Sequence, residues 1–451
     1  MTLSQLLAKY DVPGPRYTSY PTVPYWTSPP SASQWLGHLT EAIDRSRASN
    51  TGASLYVHIP FCRSMCHYCG CNTVITRDPG VVDPYIDAVI AEWAMYTQPL
   101  GRVRLDEVHV GGGTPTHLSA EQLDRLMSTV LGSAEVPSDA ALSIEVDPRV
   151  TTREQLDVLA KLGFRRISLG IQDFDPVVQA SVNRHQTVEQ VRAVTEAARG
   201  LGFTSVNFDL IYGLPKQTPA AILNTMGAVT SLAPDRIAFY GYAHIPWIKT
   251  VMRKFEDSDV PSGEVKRGLY EVGRQALSEA GYQEIGLDHF GLRGDGLVVA
   301  ASKGKLHRNF MGYTERLTMP IFPLGVSAIG DTWTAYAQNE KTVDAWKAKI
   351  AAGQLPIAKG HILDREDMVL RQCILDVMTR FEVDWKDYQE PYLSEVPEKL
   401  REMQTDGLLE LSDSGLRVTP AGRAFVRNIG MALDARLARH APDQQIFSRT
   451  I

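Results

Sequence analysis

Four of the chain's five cysteines stand within ten residues, at Cys62, Cys66, Cys69 and Cys71. The first three, in Cys62-Arg-Ser-Met-Cys66-His-Tyr-Cys69, have C-x3-C-x2-C spacing. A [4Fe–4S] cube takes one soft thiolate on each iron that a protein holds. Three thiolates from one short loop can wrap three corners and leave the fourth iron open. An open iron suits a small molecule that chelates through an amine and a carboxylate. A zinc knuckle pairs its cysteines as C-x2-C with a second pair well separated, which fits this crowding poorly. Inert core cysteines would not cluster in a chain with only five. Cys373, isolated on a predicted helix, reads as such a core residue.

A second motif, Gly111-Gly-Gly-Thr-Pro-Thr116, follows a predicted strand and precedes a predicted helix. Glycines let backbone approach a ligand closely. The motif lacks the Gly-Lys-Ser/Thr ending of a P-loop and the G-x-G-x-x-G spacing of a dinucleotide fold. Taken one by one, Glu145, Asp209 and Arg184 are ordinary salt-bridge partners and Gln172 an ordinary loop residue. Their placement in the fold is what makes them candidates.

From residue 54 a β-branched run, a loop and an amphipathic helix recur. The runs are 54–59, 107–110, 142–146, 166–169, 205–210 and 236–240, with helical periodicity at 82–95, 120–131, 152–162, 188–198 and 220–232. This alternation predicts a parallel sheet with right-handed crossovers, an incomplete (β/α)6 relative of the eight-stranded barrel. Parallel barrels carry their working residues at the carboxyl ends of the strands. The cysteines, the triple glycine, Glu145, Gln172, Asp209 and Tyr240 with Ala243 fall at the six successive strand ends, which favours one active-site mouth.

The rest of the chain must support that mouth. Residues 1–50 read as an N-terminal arm, 51–250 as the partial barrel, 251–360 as a barrel-covering extension and 361–451 as a mostly helical, winged-helix-like C-terminal domain. That last shape carries no basic recognition face, so a lid or cap is the better reading. A net charge of −6 argues against a general nucleic-acid binder. No basic segment leads into an apolar run at the start, and no stretch approaches the roughly 18 apolar residues that span a bilayer. The expectation is a cytoplasmic protein without a membrane span, and nothing suggests a coiled coil.

Together these residues resemble the radical S-adenosylmethionine (SAM) superfamily, and within it the oxygen-independent coproporphyrinogen III oxidases, also called coproporphyrinogen dehydrogenases. The resemblance runs nearly end to end. It includes Tyr10–Thr22, Tyr56-Val-His-Ile-Pro-Phe-Cys62, Cys69-Gly-Cys71, Val110–Thr116 and Asp209-Leu-Ile-Tyr-Gly-Leu-Pro215. Asp288-His-Phe290, His307-Arg-Asn-Phe310 and Phe447-Ser-Arg-Thr-Ile451 complete it.

The resemblance implies a [4Fe–4S] cluster on Cys62, Cys66 and Cys69 and two SAM molecules in one site. Tyr56, Gly112, Glu145 and Ile329 would contact the SAM on the cluster. Tyr68, Gly113, Thr114, Gln172, Arg184, Asp209 and Ala243 would contact the second. Cys71 resembles a residue the family requires that is not a cluster ligand. The sequence departs at Met311, where the family usually has Gln, and a thioether cannot make an amide's hydrogen bonds. The implied reaction turns two propionates of coproporphyrinogen III into vinyl groups, giving protoporphyrinogen IX in haem biosynthesis. It starts with hydrogen abstraction by a 5′-deoxyadenosyl radical. A low-potential donor such as flavodoxin or ferredoxin, a monomeric chain and no nucleic-acid partner complete the expectation. Arg16, His58, Arg308 and Arg449 are candidate partners for the substrate carboxylates, by location alone. The competing readings are a radical SAM relative that carries or degrades haem, and a non-catalytic zinc- or haem-binding protein.

Overall fold

The computed structural model describes every residue except 387, 389–392, 394, 395 and 443. Six parallel strands form its centre: β1 (Ala53–Ile59), β2 (Leu105–Gly112), β3 (Ala141–Val146), β4 (Arg166–Gln172), β5 (Ser205–Tyr212) and β6 (Arg236–Gly241), hydrogen-bonded in that order. Each expected run lies inside one of these strands, and each expected helix between them is present. The helices Ala120–Gly132, Arg153–Lys161 and Val188–Gly200 open alike. Ser119, Thr152 and Thr187 cap them, and Gln122, Gln155 and Gln190 bond back to the cap backbone. Each such box satisfies two end N–H groups that a helix leaves free, stabilising it by about 1 kcal/mol.

Side-chain alternation gives the barrel two unlike faces. Outward, Leu55, Val57, Val108, Val110, Ile144, Leu169, Phe208 and Phe239 are buried under the helices. The alternate positions are polar: Tyr56 and His58, Glu107 and His109, Ser143 and Glu145, Ser168, Asn207 and Asp209, and Arg236. The lumen is therefore a polar chamber rather than a second core.

Its floor is an ion-pair network. Glu315 accepts from Arg166 at 2.5 Å and Arg236 at 3.0 Å, and Arg236 also meets Asp295 at 2.9 Å. Leucine at Glu315 should cost about 2–3 kcal/mol in urea unfolding, because Arg166 is left half-buried with no acid partner. A variant as stable as the parent would show that the floor contributes little.

Two expectations need correction. The extension 251–360 does more than cover the mouth, because it widens the sheet to twelve strands. Ile321–Leu324 pairs parallel with β1 as a seventh parallel strand, and Ile329–Asp331, Ala335–Asn339 and Ile357–Ile362 follow antiparallel. On the other edge His289–Gly291 and Gln283–Ile285 follow β6 antiparallel. Nor is the segment before residue 51 wholly an arm. It holds the helix Ala32–Ala48, whose Trp35, Leu39 and Ile43 join the barrel core. Tyr17 and Tyr20, by contrast, pack with the C-terminal unit. There Glu382–Asp384, Gly415–Val418 and Leu409–Ser412 form a three-stranded antiparallel sheet, in keeping with a winged-helix-like shape. Among the described residues no helix is long and apolar enough to cross a membrane.

Candidate active site

The carboxyl ends of the parallel strands open into a cavity of about 510 Å³. Cys62, Cys66, Cys69 and Cys71 line it, with Tyr68, Gly112, Gly113, Thr114, Glu145, Gln172, Arg184 and Asp209. Met311 reaches the same wall. Tyr56, Ala243 and Ile329 are not among the lining residues. Tyr56 stacks on His109 inside the lumen, with ring centroids 6.0 Å apart. Ala243 lies two residues beyond β6, and Ile329 packs against the cluster of Trp26, Tyr336 and Leu363.

The cysteine loop is held by its backbone. His67 N–H donates to Val182 O at 3.0 Å, Asn183 donates to Met65 O at 2.8 Å, and Thr76 N–H donates to Cys62 O at 3.0 Å. The sulfurs stay on the cavity wall among donors. Thr114 Oγ1 lies 3.3 Å from Cys62 Sγ, and Arg184 Nη1 donates to Cys66 Sγ at 3.7 Å. Thr114 works toward the Cys62 thiolate, but burial outweighs it and pushes the thiol up to about 11. Three thiols from one loop on one cavity wall are the soft donors, one for each corner, that a cube takes. The donor set fits an iron–sulfur cluster.

The glycine loop is clamped from below. Gln155 donates to the carbonyls of Thr116 and Leu118, at 3.0 and 2.5 Å. The Gln that caps the third barrel helix thus also fixes the loop after β2. Gly112 has φ of 117°, and a Cβ there would sit 2.7 Å from the His58 ring. A Cβ on Gly113 would lie 2.5 Å from Pro60 O. Larger residues would therefore push this loop off the cysteine strand.

Inside the chamber Glu145 accepts from His109 Nε2 at 3.1 Å and from Gly112 N–H at 3.2 Å. Burial raises this carboxyl, but His109 and the amide outweigh it and hold it below the usual range. Burial likewise works against charge on His109, and Glu145 overcomes it and raises the imidazole. The Ser143 hydroxyl donates to Val108 O, so its oxygen is left to accept from His109 Nδ1 at 2.7 Å. Both ring nitrogens then donate, and the pair is imidazolium–carboxylate.

Asp209 is set differently. Burial pushes its carboxyl up to about 6, against hydrogen bonds from Ser168 and Asn207 at 2.7 and 2.8 Å. A raised acid favours the protonated fold, so this stabilisation is complete at acid pH and lost as pH rises through about 6. At pH 7 the ligand-free protein carries the cost of the charge. Asparagine at Asp209 should therefore raise the melting temperature of the ligand-free protein by a few degrees while weakening SAM binding. A lower melting temperature would contradict the sign.

At the rim Gln172 sits at a sheet irregularity with φ of 71°, a costly conformation that recurs at functional sites. Arg184, also at the rim, is 7% exposed; it donates to Gly170 O and lies 3.5 Å from Asp147. Its Nε is buried without a partner among the described residues, a donor waiting for an acceptor. Sequence reasoning missed His109 and Asp147. His109 stands mid-strand, where only the polar alternation of the strands could have marked it. Of the proposed carboxylate partners, His58 bonds Tyr56 and Asn72 O, and Arg308 packs over the Tyr313 ring at 4.6 Å.

Residues 56–229 match the radical SAM superfamily, and residues 363–425 match the HemN C-terminal domain. The oxygen-independent coproporphyrinogen III oxidase of Salmonella typhimurium is 40% identical, over 99% of this chain and 98% of its own. That of Pseudomonas aeruginosa is 39% identical over the same shares. Among solved structures, coproporphyrinogen III oxidase (HemN) from Escherichia coli, described as a radical SAM enzyme, superposes with a TM-score of 0.89. It is 37% identical and is matched over 96% of this chain and 99% of that one.

Proposed function

Because this chain belongs to the oxygen-independent coproporphyrinogen III oxidase family of radical SAM enzymes, we propose which of its residues carry each part of the reaction. That reaction oxidises coproporphyrinogen III without oxygen, in haem biosynthesis, using a [4Fe–4S] cluster and SAM. The observation that supports the residue roles is the convergence of the cysteine loop, the glycine loop and the chamber carboxylates on one cavity.

Cys62, Cys66 and Cys69 hold the cluster, and Cys71 serves the reaction beside it without ligating iron. When bound, the cluster supplies the electron that cleaves SAM to a hydrogen-abstracting 5′-deoxyadenosyl group. Glu145, held below the usual carboxylate range by His109, would accept from the ammonium of the first SAM beside Gly112, with Tyr56 stacked on His109 and Ile329 set back from the lining. Tyr68, Gly113, Thr114, Gln172 and Asp209 would hold the second SAM, with Ala243 set back from the lining and the unpartnered edge of Arg184 available to its carboxylate. Met311 offers that second SAM a soft apolar contact where an amide would bond. The substrate propionate would be positioned in this same cavity by the polar lumen and the loops at the strand ends. The enzyme works as a cytoplasmic monomer reduced by a low-potential flavodoxin or ferredoxin.

Coproporphyrinogen III deuterated at the propionate β-carbons tests this reading. Deuterium is expected in the 5′-deoxyadenosine formed. Product formed without that transfer would overturn the placement of substrate against SAM.

A further inference from the structure

A second cavity, of about 720 Å³, lies between the N-terminal segment, the helix Gly263–Glu279 and the C-terminal unit. It backs onto the first. Tyr240 and His289 line the active-site cavity, while the adjoining Gly241 and Asp288 line this one.

Its charge is unbalanced. Arg16 donates to Gly241 O at 2.6 Å. Lys266 donates to Tyr242 O and Ile451 O, both at 3.0 Å. Arg427, 8% exposed, donates to the carbonyls of Pro15 and Arg449 at 2.9 and 3.0 Å, and to those of Gly14 and Thr450. Among the described residues Arg16 and Arg427 meet peptide carbonyls only, whereas the Ile451 oxygen that Lys266 meets belongs to the last residue of the sequence, where the backbone carries a carboxylate. The nearby acids are engaged: Glu271 by Arg267 and Arg274, Glu284 by Tyr270, Asp288 by His289, and Asp11 by Arg449. Burial, with the neighbouring Arg16 and Arg427, pushes Lys266 down to about 7. Arg267 Nε is buried and unpartnered beside them. Between the charges the wall is apolar and aromatic: Leu6, Leu287, Tyr212 and Tyr270.

Half-buried Arg16 and Lys266 and buried Arg427, in excess of the free acids on an apolar-walled cavity, suit an anion that brings its own apolar body. We propose that this cavity is a carboxylate-docking site for the tetrapyrrole, holding propionate groups on Arg16, Lys266 and Arg427 against the Tyr212–Tyr270–Leu287 wall. The proposal rests on the substrate assignment above and extends it to residues outside the SAM cavity. Propionates held here would fix the macrocycle beside the wall that both cavities share.

The test titrates coproporphyrin III, the fluorescent oxidised form of the substrate, into the anaerobic holoenzyme. Lys266→Met and Arg16→Gln should each weaken binding tenfold or more, while the charge-keeping Lys266→Arg stays within threefold of the parent. Protoporphyrin IX, with two carboxylates fewer, should bind more weakly to the parent. Neutral variants that melt like the parent and bind within twofold of it would overturn the proposal. A parent that cleaves SAM yet binds no coproporphyrin III would overturn it too, and would place the failure in the substrate assignment.

Discussion

Alanine at Cys62, Cys66 or Cys69 is expected to give a folded protein that cannot hold a complete cluster and cleaves SAM slower by roughly three orders of magnitude or more. The fold should survive because the loop is fixed by backbone bonds to Val182 and by Asn183, none of which uses a sulfur. Activity should not, because each corner of the cube needs its own thiolate. Alanine at Cys71 is the informative contrast. Lys249 donates to the Cys71 carbonyl at 2.9 Å, a bond that alanine keeps, so the loop should keep its shape. Iron content and visible charge-transfer absorption should then match the parent, while product formation falls. A Cys71 variant that loses iron, or a Cys66 variant that keeps a full cluster, would reverse these roles.

The largest effect on stability is expected at Asp331. Its carboxylate binds Arg371 through both oxygens, one at 3.0 Å, and accepts from Trp333 N–H at 2.8 Å. The side chains are 2% and 7% exposed. Arg371 is also held over the rings of Trp333 and Tyr336, at 4.1 and 4.9 Å, so it cannot swing into solvent. Alanine at Asp331 strands that cation in a dry contact and should cost about 3–5 kcal/mol. Because Arg371 belongs to the helix Arg365–Arg380, the loss should loosen the C-terminal unit from the sheet edge. Adding Arg371→Met should recover part of the loss in urea unfolding, as a double-mutant cycle requires of a coupled pair. Additive losses would show that the two residues act separately.

What the sequence disclosed depended on how local each signal was. The cysteine spacing, the triple glycine and the strand–helix alternation lie within a few turns of chain, and the structure places them as expected. The strand Ile321–Leu324 has its partner more than 260 residues away in β1, and no periodicity within four residues could announce that pairing. The helix Ala32–Ala48 was legible but overlooked. Ser31 and Gln34 form its capping box, and Trp35, Leu39 and Ile43 recur on one face, but the Pro- and Ser-rich flanks suggested an extended arm. The second cavity was illegible for another reason. Arg16, Lys266 and Arg427 come from three distant segments, so only the folded chain brings them onto one cavity.

The most direct test of the account is anaerobic turnover of the reconstituted protein with reductant, SAM and coproporphyrinogen III, followed by product mass. Stepwise loss of two carboxyl groups, with 5′-deoxyadenosine formed alongside, is the predicted result. SAM cleavage that leaves the tetrapyrrole intact would contradict it and point to a haem-handling member of the superfamily.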